Sequence, residues 1–208
     1  MAGRFITFEG GEGSGKSTQI RRLADRLIVA GRDVLVTREP GGTPEAEAIR
    51  ALLVSGDVAR WTPRAEALLN TAAREQHLTQ VIRPALALGK TVLCDRFMDS
   101  TRAYQGFAGG CEMSFIDALE QAVVGGTRPD LTLIFDLDPA LGLARAKSRG
   151  DHRSEDRYER KGMAFHEKLR AGFLEIQRND PRRCRLIDAS RDVETVAAAV
   201  WAAVSGAG

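Results

Sequence analysis

The stretch Gly10-Gly11-Glu12-Gly13-Ser14-Gly15-Lys16-Ser17 constrains this chain more than any other. It satisfies Gly-x-x-x-x-Gly-Lys-Ser/Thr in full. Phe5-Ile6-Thr7-Phe8-Glu9 before it is an apolar run of strand type, and Thr18 to Ala24 after it reads as an amphipathic helix. A strand, a glycine-rich loop and a helix, in that order, is the context the motif requires. The glycines let backbone N–H groups point inward, and the helix start adds positive potential, so the loop cradles phosphates. On this reading Gly10 to Ser17 surround the phosphates of a nucleotide. Lys16 reaches the β/γ-phosphates and the Ser17 hydroxyl ligates Mg²⁺. Glu12 is the anomaly, a carboxylate inside an anion-binding loop.

Bulk properties narrow the field. At 208 residues the chain suits one domain spanning 1–208 with its own core. A net charge of +2 gives no argument for nucleic acid or a membrane as the main partner. Met1-Ala2-Gly3-Arg4 leads straight into the first strand, so no signal peptide is expected. Cys94, Cys111 and Cys184 are odd in number and widely spaced, which supports neither a disulfide framework nor a metal site. The expected compartment is the cytoplasm.

The spacing predicts a helix from Lys16 to about Ala30, stopped by Gly31. Asp33 to Arg38 is a second strand, ending in Thr37-Arg38-Glu39-Pro40-Gly41-Gly42-Thr43. Its proline and glycines signal a turn that displays Arg38 at a carboxyl strand end, where open α/β sheets bind ligands. Pro44 to Val54 reads as a short helix. Thr62-Pro63 opens a longer one, which Pro84 kinks or restarts and Gly89 ends. Asn70, Arg74 and His77 share a face of it, and His77 is expected to be solvated.

Thr91 to Asp95 is an apolar, central strand with Asp95 at its tip and Arg96 beside it. An acid there can hold Mg²⁺ through its water shell, and Arg96 can reach a transferring phosphoryl group. Ser114 opens a helix to Val124 with a capping box. Asp130 to Asp136 is the fourth strand, and Asp138-Pro139 opens the next helix. From Arg145 to Lys161 the chain is dense in charge, so it reads as a mobile loop excluded from the core. Phe165, Leu169, Phe173 and Ile176 form a core stripe of a following helix. Cys184 to Asp188 is the fifth strand, and Asp192 caps the last helix. The sum is an α/β domain of three layers, five mostly parallel strands between helices.

The residues argue for phosphoryl transfer to a small phosphorylated acceptor. The guanine-reading Asn-Lys-x-Asp pattern is missing from the sequence, and the third strand ends in Asp-Arg, not the Asp-Glu of hydrolytic ATPases. A kinase for another nucleoside monophosphate and a non-catalytic ATP-binding switch remain alternatives.

Several runs together resemble bacterial thymidylate kinases over essentially the whole chain. They are Phe8-Glu9-Gly10 to Ser17, Thr37 to Thr43, Asp95-Arg96, Ser100-Thr101 with Tyr104-Gln105-Gly106, Arg128-Pro129-Asp130, Asp156-Arg157-Tyr158-Glu159 and Ile187-Asp188-Ala189. The resemblance implies a P-loop nucleoside monophosphate kinase fold with a short lid loop at about 149–160. It implies ATP and dTMP as substrates, Mg²⁺ as cofactor, and a homodimer packed through helices.

Matched position by position, Arg38 binds the dTMP phosphate, and Arg74 approaches the thymine edge. Ser100, Thr101 and Gln105 line the acceptor pocket, and Tyr104 sits against the sugar, where its ring favours deoxyribose. Arg145, Arg149, Asp188 and Ala189 flank the adenine. Asn70 stands where many relatives stack an aromatic on thymine. Lys16, Arg96 and the metal held by Ser17 and Asp95 spread the charge on the moving group. A lid arginine completes the set, with Arg157 the first choice and Arg153 and Arg149 the alternatives. Glu12 is expected to turn from the ATP phosphates towards the acceptor sugar or its bound cations.

Overall fold

The computed structural model describes residues 3–148 and 156–206. Five parallel strands form one sheet in the order β2-β3-β1-β4-β5. They are β1 (Arg4–Gly10), β2 (Val34–Arg38), β3 (Thr91–Asp95), β4 (Leu131–Asp136) and β5 (Cys184–Asp188). Between them run α1 (Lys16–Val29), α2 (Pro44–Val54), α3 (Pro63–His77), α4 (Arg83–Ala87), α5 (Met98–Thr101), α6 (Met113–Val123), α7 (Pro139–Ser148) and α8 (Met163–Asn179), and α9 (Val193–Ser205) follows β5.

Strand side chains alternate between two cores. Ile6, Phe8, Leu93, Leu133 and Phe135 meet α1 and α9 on one face through Ile20, Leu23, Val196 and Val200. Phe5, Val92 and Cys94 meet Leu78, Ile82, Phe97 and Met98 on the other. On that same face Ile134 and Cys184 pack with Leu169, Phe173 and Ile176, the stripe expected of α8. Apolar residues on both faces of a strand are what a sheet covered on both sides demands. The chain is thus a three-layer α/β fold of the P-loop type.

Local chemistry sets the helix starts. The Thr43 and Thr62 hydroxyls accept from Ala46 N–H at 3.1 Å and Ala65 N–H at 3.2 Å, each ahead of a proline at the first helical position. Asp192 accepts from the N–H groups of Glu194 and Thr195. Ser114 does not cap α6. The helix opens at Met113, after Glu112, with no side-chain cap, so Ser114 lies inside the first turn. Pro84 stands in the first turn of α4, where the α-helix restarts. A π-helical turn at Leu78–Ile82 precedes it, a widened register that accommodates the missing N–H, and α4 continues to Ala87.

The sheet brings the functional strand ends to one edge. Arg38 registers with Asp95, and Gly10 with Phe135. The chain leaves β1 between β3 and β4, at the reversal of strand order, where ligand crevices form in such sheets.

Candidate active site

The glycine-rich loop closes on α1 as its sequence requires. Gly13 has φ 66°, and a Cβ there would stand 2.0 Å from the Gly142 carbonyl oxygen, so α7 and the loop tolerate only glycine at this contact. The Lys16 ammonium donates to the carbonyls of Gly10 at 3.1 Å and Gly11 at 2.9 Å and to Ser14 Oγ at 3.1 Å. Burial, with Arg96 nearby, pulls its pKa down to about 8. The first turn of α1 carries Lys16, Ser17, Thr18 and Gln19, with no acid to cancel the positive helix end.

Ser17 Oγ donates to Asp95 Oδ2 at 2.8 Å, so the two expected metal-holding groups stand together at the rim of the loop. Both offer hard oxygen donors on the phosphate side, which is the donor chemistry Mg²⁺ prefers. The pair fits that ion.

Arg96 joins this loop to a second cleft. It has φ 67°, a left-handed backbone rare outside glycine. Two contacts hold the bend: Arg96 N–H donates to the Phe8 carbonyl at 2.9 Å, and Phe97 N–H donates to the Glu9 carboxyl at 2.8 Å. The Arg96 guanidinium then donates to the Gly10 carbonyl at 2.9 Å and to Glu12 at 3.0 Å. Glu9 is fully buried and also accepts from Ser100 Oγ at 2.5 Å. Burial, reinforced by the charge of Asp99, pushes its pKa up to about 8.

Glu12 accepts from the Tyr104 hydroxyl at 2.6 Å as well as from Arg96, and it points into the second cleft. Burial opposes its charge, but Arg96 foremost, then Lys16 and Tyr104, hold its pKa down at about 2. The cleft opens to solvent and is lined by Glu12, Glu39, Pro40, Arg50, Val54, Asn70, Arg74, Arg96, Phe97, Ser100, Thr101, Tyr104, Gln105, Tyr158 and Glu159. Within it Arg74 donates to Glu39 at 2.7 Å and to Thr101 Oγ1 at 3.1 Å. Gln105 donates to Glu66 at 2.8 Å, and Asn70 donates to the Glu66 carbonyl at 2.9 Å.

A model of the thymidylate kinase family matches residues 8–200. The chain belongs to the thymidylate kinase family. It is 62% identical over 198 residues to the thymidylate kinase of Caulobacter vibrioides, a match spanning 95% of this chain and 94% of the relative. It is 53% identical to that of Afipia carboxidovorans, over 96% and 87% of the two chains. The solved structure of thymidylate kinase from Ehrlichia chaffeensis is 36% identical, covers 99% of each chain and superposes with a TM-score of 0.79.

Of the residues expected around the acceptor, the structure gathers Glu12, Asn70, Arg74, Arg96, Ser100, Thr101, Tyr104 and Gln105 in one cleft. Arg38 is not among its lining residues. It is over half exposed and donates to both carboxylate oxygens of Glu47 at 3.0 Å. Arg145 donates to the Ala189 carbonyl at 3.0 Å, while Asp188 accepts from Ser190 at the surface. Arg149 and Arg153 lie outside the described residues.

Arg157 stands elsewhere than the sequence reading put it. Its side chain is fully buried, and it donates to the carbonyls of Leu53, Asp57 and Val58 and to Glu66. The segment from Asp156 onward is therefore anchored in the core, not part of a mobile loop, and α7 already takes residues up to Ser148. Charge density misled the reading because a guanidinium whose nitrogens each donate to a carbonyl or carboxylate can be buried. His77 is likewise buried, not solvated, bonded to Thr37 Oγ1 at 2.7 Å and Glu39 at 3.0 Å.

Sequence reasoning passed over Glu9, Glu39 and Glu66. Glu66 had a readable signal, since with Asn70 and Arg74 it completes an i, i+4, i+8 row on α3. Glu9 and Glu39 sit inside quoted motif runs, but nothing in the sequence marks them as buried.

Proposed function

We propose that the chain transfers the γ-phosphoryl group of ATP to dTMP, giving dTDP and ADP. The observation that carries the reading is the double engagement of Arg96. One arm bonds the Gly10 carbonyl of the phosphate loop, and the other bonds Glu12, the loop side chain that lines the acceptor cleft. A cation at that junction suits a group passing from one site to the other.

Positioning and charge supply most of the chemistry in such a transfer. Lys16 and the loop amides hold the donor phosphates. Arg96 stabilises charge on the phosphoryl group in transit. Glu12, fixed by Tyr104, faces the acceptor sugar, and the Tyr104 ring favours deoxyribose. Arg74, Thr101 and Gln105 meet the base. Ser17 and Asp95 would hold Mg²⁺, which supplies charge neutralisation at the phosphates. The lid-arginine role falls to Arg153 or Arg149. Arg50 and Arg96 line the cleft, so they are better placed than Arg38 to meet an acceptor phosphate.

The same reading carries a single kinase domain and a homodimer packed through helices. Exposed Leu52 on α2 and Leu68 on α3 suit such packing. No helix among the described residues is long and apolar enough to cross a membrane, which fits the proposed cytoplasmic setting. Coupled ADP release with dTMP, dUMP, dCMP, dGMP and dAMP offered singly tests the function. Fast turnover with dTMP alone is the expected result. Equal turnover with another acceptor would make the chain a different monophosphate kinase.

A further inference from the structure

Glu66 lies on α3, one turn before Asn70 and two before Arg74, and is 1% exposed. Arg157 Nη2 donates to it at 2.5 Å, Gln105 Nε2 at 2.8 Å and the Tyr158 hydroxyl at 3.1 Å, with the Lys161 ammonium 3.6 Å away. A carboxylate set between two cations accepts hydrogen bonds and gives none. The Gln105 amide must therefore turn its NH₂ to Glu66, and its carbonyl oxygen falls on the other side of the amide.

Gln105 and Arg74 line the same cleft. Arg74 can only donate, and buried Glu39 fixes its guanidinium. The base-facing wall then offers an acceptor from Gln105 and donors from Arg74. That pattern matches a pyrimidine with a hydrogen on its ring nitrogen and a keto oxygen beside it. It mismatches cytosine, whose ring nitrogen is bare and whose exocyclic group is an amine.

We infer that Glu66 is a positioning residue that sets base selectivity by fixing the polarity of Gln105, so that the cleft takes keto pyrimidine nucleotides and rejects cytosine nucleotides. This rests on the cleft being the acceptor site proposed above.

Glu66→Gln tests it, because a glutamine there can accept from Arg157 yet either donate to or accept from Gln105. kcat/KM is measured with dTMP and dCMP at saturating ATP, and calorimetry measures binding of both nucleotides without turnover. The dCMP-to-dTMP ratio is expected to rise about tenfold or more, through dTMP KM more than kcat, with ATP binding retained. A merely structural role lowers both acceptors by one factor, and an unchanged ratio in a folded variant would overturn the inference.

Gln105→Met leaves the Glu66–Arg157 pair in place and serves if the first variant fails to fold. Here dTMP binding weakens and the ratio rises; unaltered dTMP binding also overturns the inference. Selective dTMP binding by the unmodified protein without turnover would count against the kinase reading alone. Equal binding of dTMP and dCMP by the unmodified protein would count against Glu66.

Discussion

Arg157 and Glu66 meet at 2.5 Å with neither side chain open to solvent. The pair ties the segment after 155 to α3 and, through the Leu53, Asp57 and Val58 carbonyls, to the end of α2. Arg157→Ala leaves a buried carboxylate with one cation fewer, and breaking such a pair costs about 3–5 kcal/mol. The expected outcome is a fall in Tm of about 10 °C in a thermal melt. Arg153→Ala is expected to leave Tm alone and lower kcat about a thousandfold, as loss of an arginine finger does. The reverse assignment of the two effects would restore Arg157 to the catalytic role.

That contrast marks what the sequence could and could not tell. Pattern and punctuation located β3, α2 and the starts of α3, α7 and α9, because strand alternation, proline at the first turn and capping oxygens act locally. The phosphate loop was legible for the same reason: eight adjacent residues carry its chemistry. The acceptor cleft was legible only through resemblance, since its walls come from the segments after β1, β2 and β3, from α2, α3 and α5, from Tyr104 and Gln105, and from Tyr158 and Glu159 ahead of α8. The burial of Arg157, His77 and Glu66 depends on carbonyls and carboxyls far away in the chain.

Glu12 is the next test. Its charge is held by Arg96 and the Tyr104 hydroxyl, so Glu12→Gln replaces charge-assisted bonds worth about 1.5–3 kcal/mol. kcat/KM for dTMP is expected to fall about 10–100-fold while KM for ATP holds. With a folded pKa near 2, below the ordinary 4.5, its stabilising charge is fully present above pH 4.5 and lost only as pH falls through 2. An acid limb in the activity profile near pH 5 to 6 therefore belongs to another group. Glu12→Gln with unchanged dTMP kinetics would make this side chain a bystander.

Glu9 gives stability a pH dependence of opposite sign. Burial, then Asp99, raises its folded pKa to about 8 against an ordinary 4.5. Between those values the native state binds more protons at this site than the unfolded chain does. Stability from this group therefore falls as pH rises from 4.5 to 8. Glu9→Gln removes the titration and keeps an acceptor for Phe97 N–H. Urea midpoints across pH 5 to 8 are expected to decline more steeply for the unmodified protein than for the variant. Parallel slopes would show that Glu9 ionises in the native state as freely as in water.

The Ser17–Asp95 contact predicts the metal behaviour. Chelation of Mg²⁺ by EDTA is expected to abolish turnover, with recovery on adding Mg²⁺ back. Asp95→Asn keeps the shape and loses the charge. The Mg²⁺ concentration for half-maximal rate is expected to rise about 10–100-fold in it, as for loss of a supporting carboxylate. An unchanged Mg²⁺ requirement would place the ion away from this pair.

The central claim is direct transfer from the loop-bound nucleotide to dTMP. ATP labelled on its γ-phosphate, mixed with enzyme, Mg²⁺ and dTMP, is expected to pass the label to dTDP, one per ADP formed. Label released as inorganic phosphate, with dTMP recovered unchanged, would contradict it.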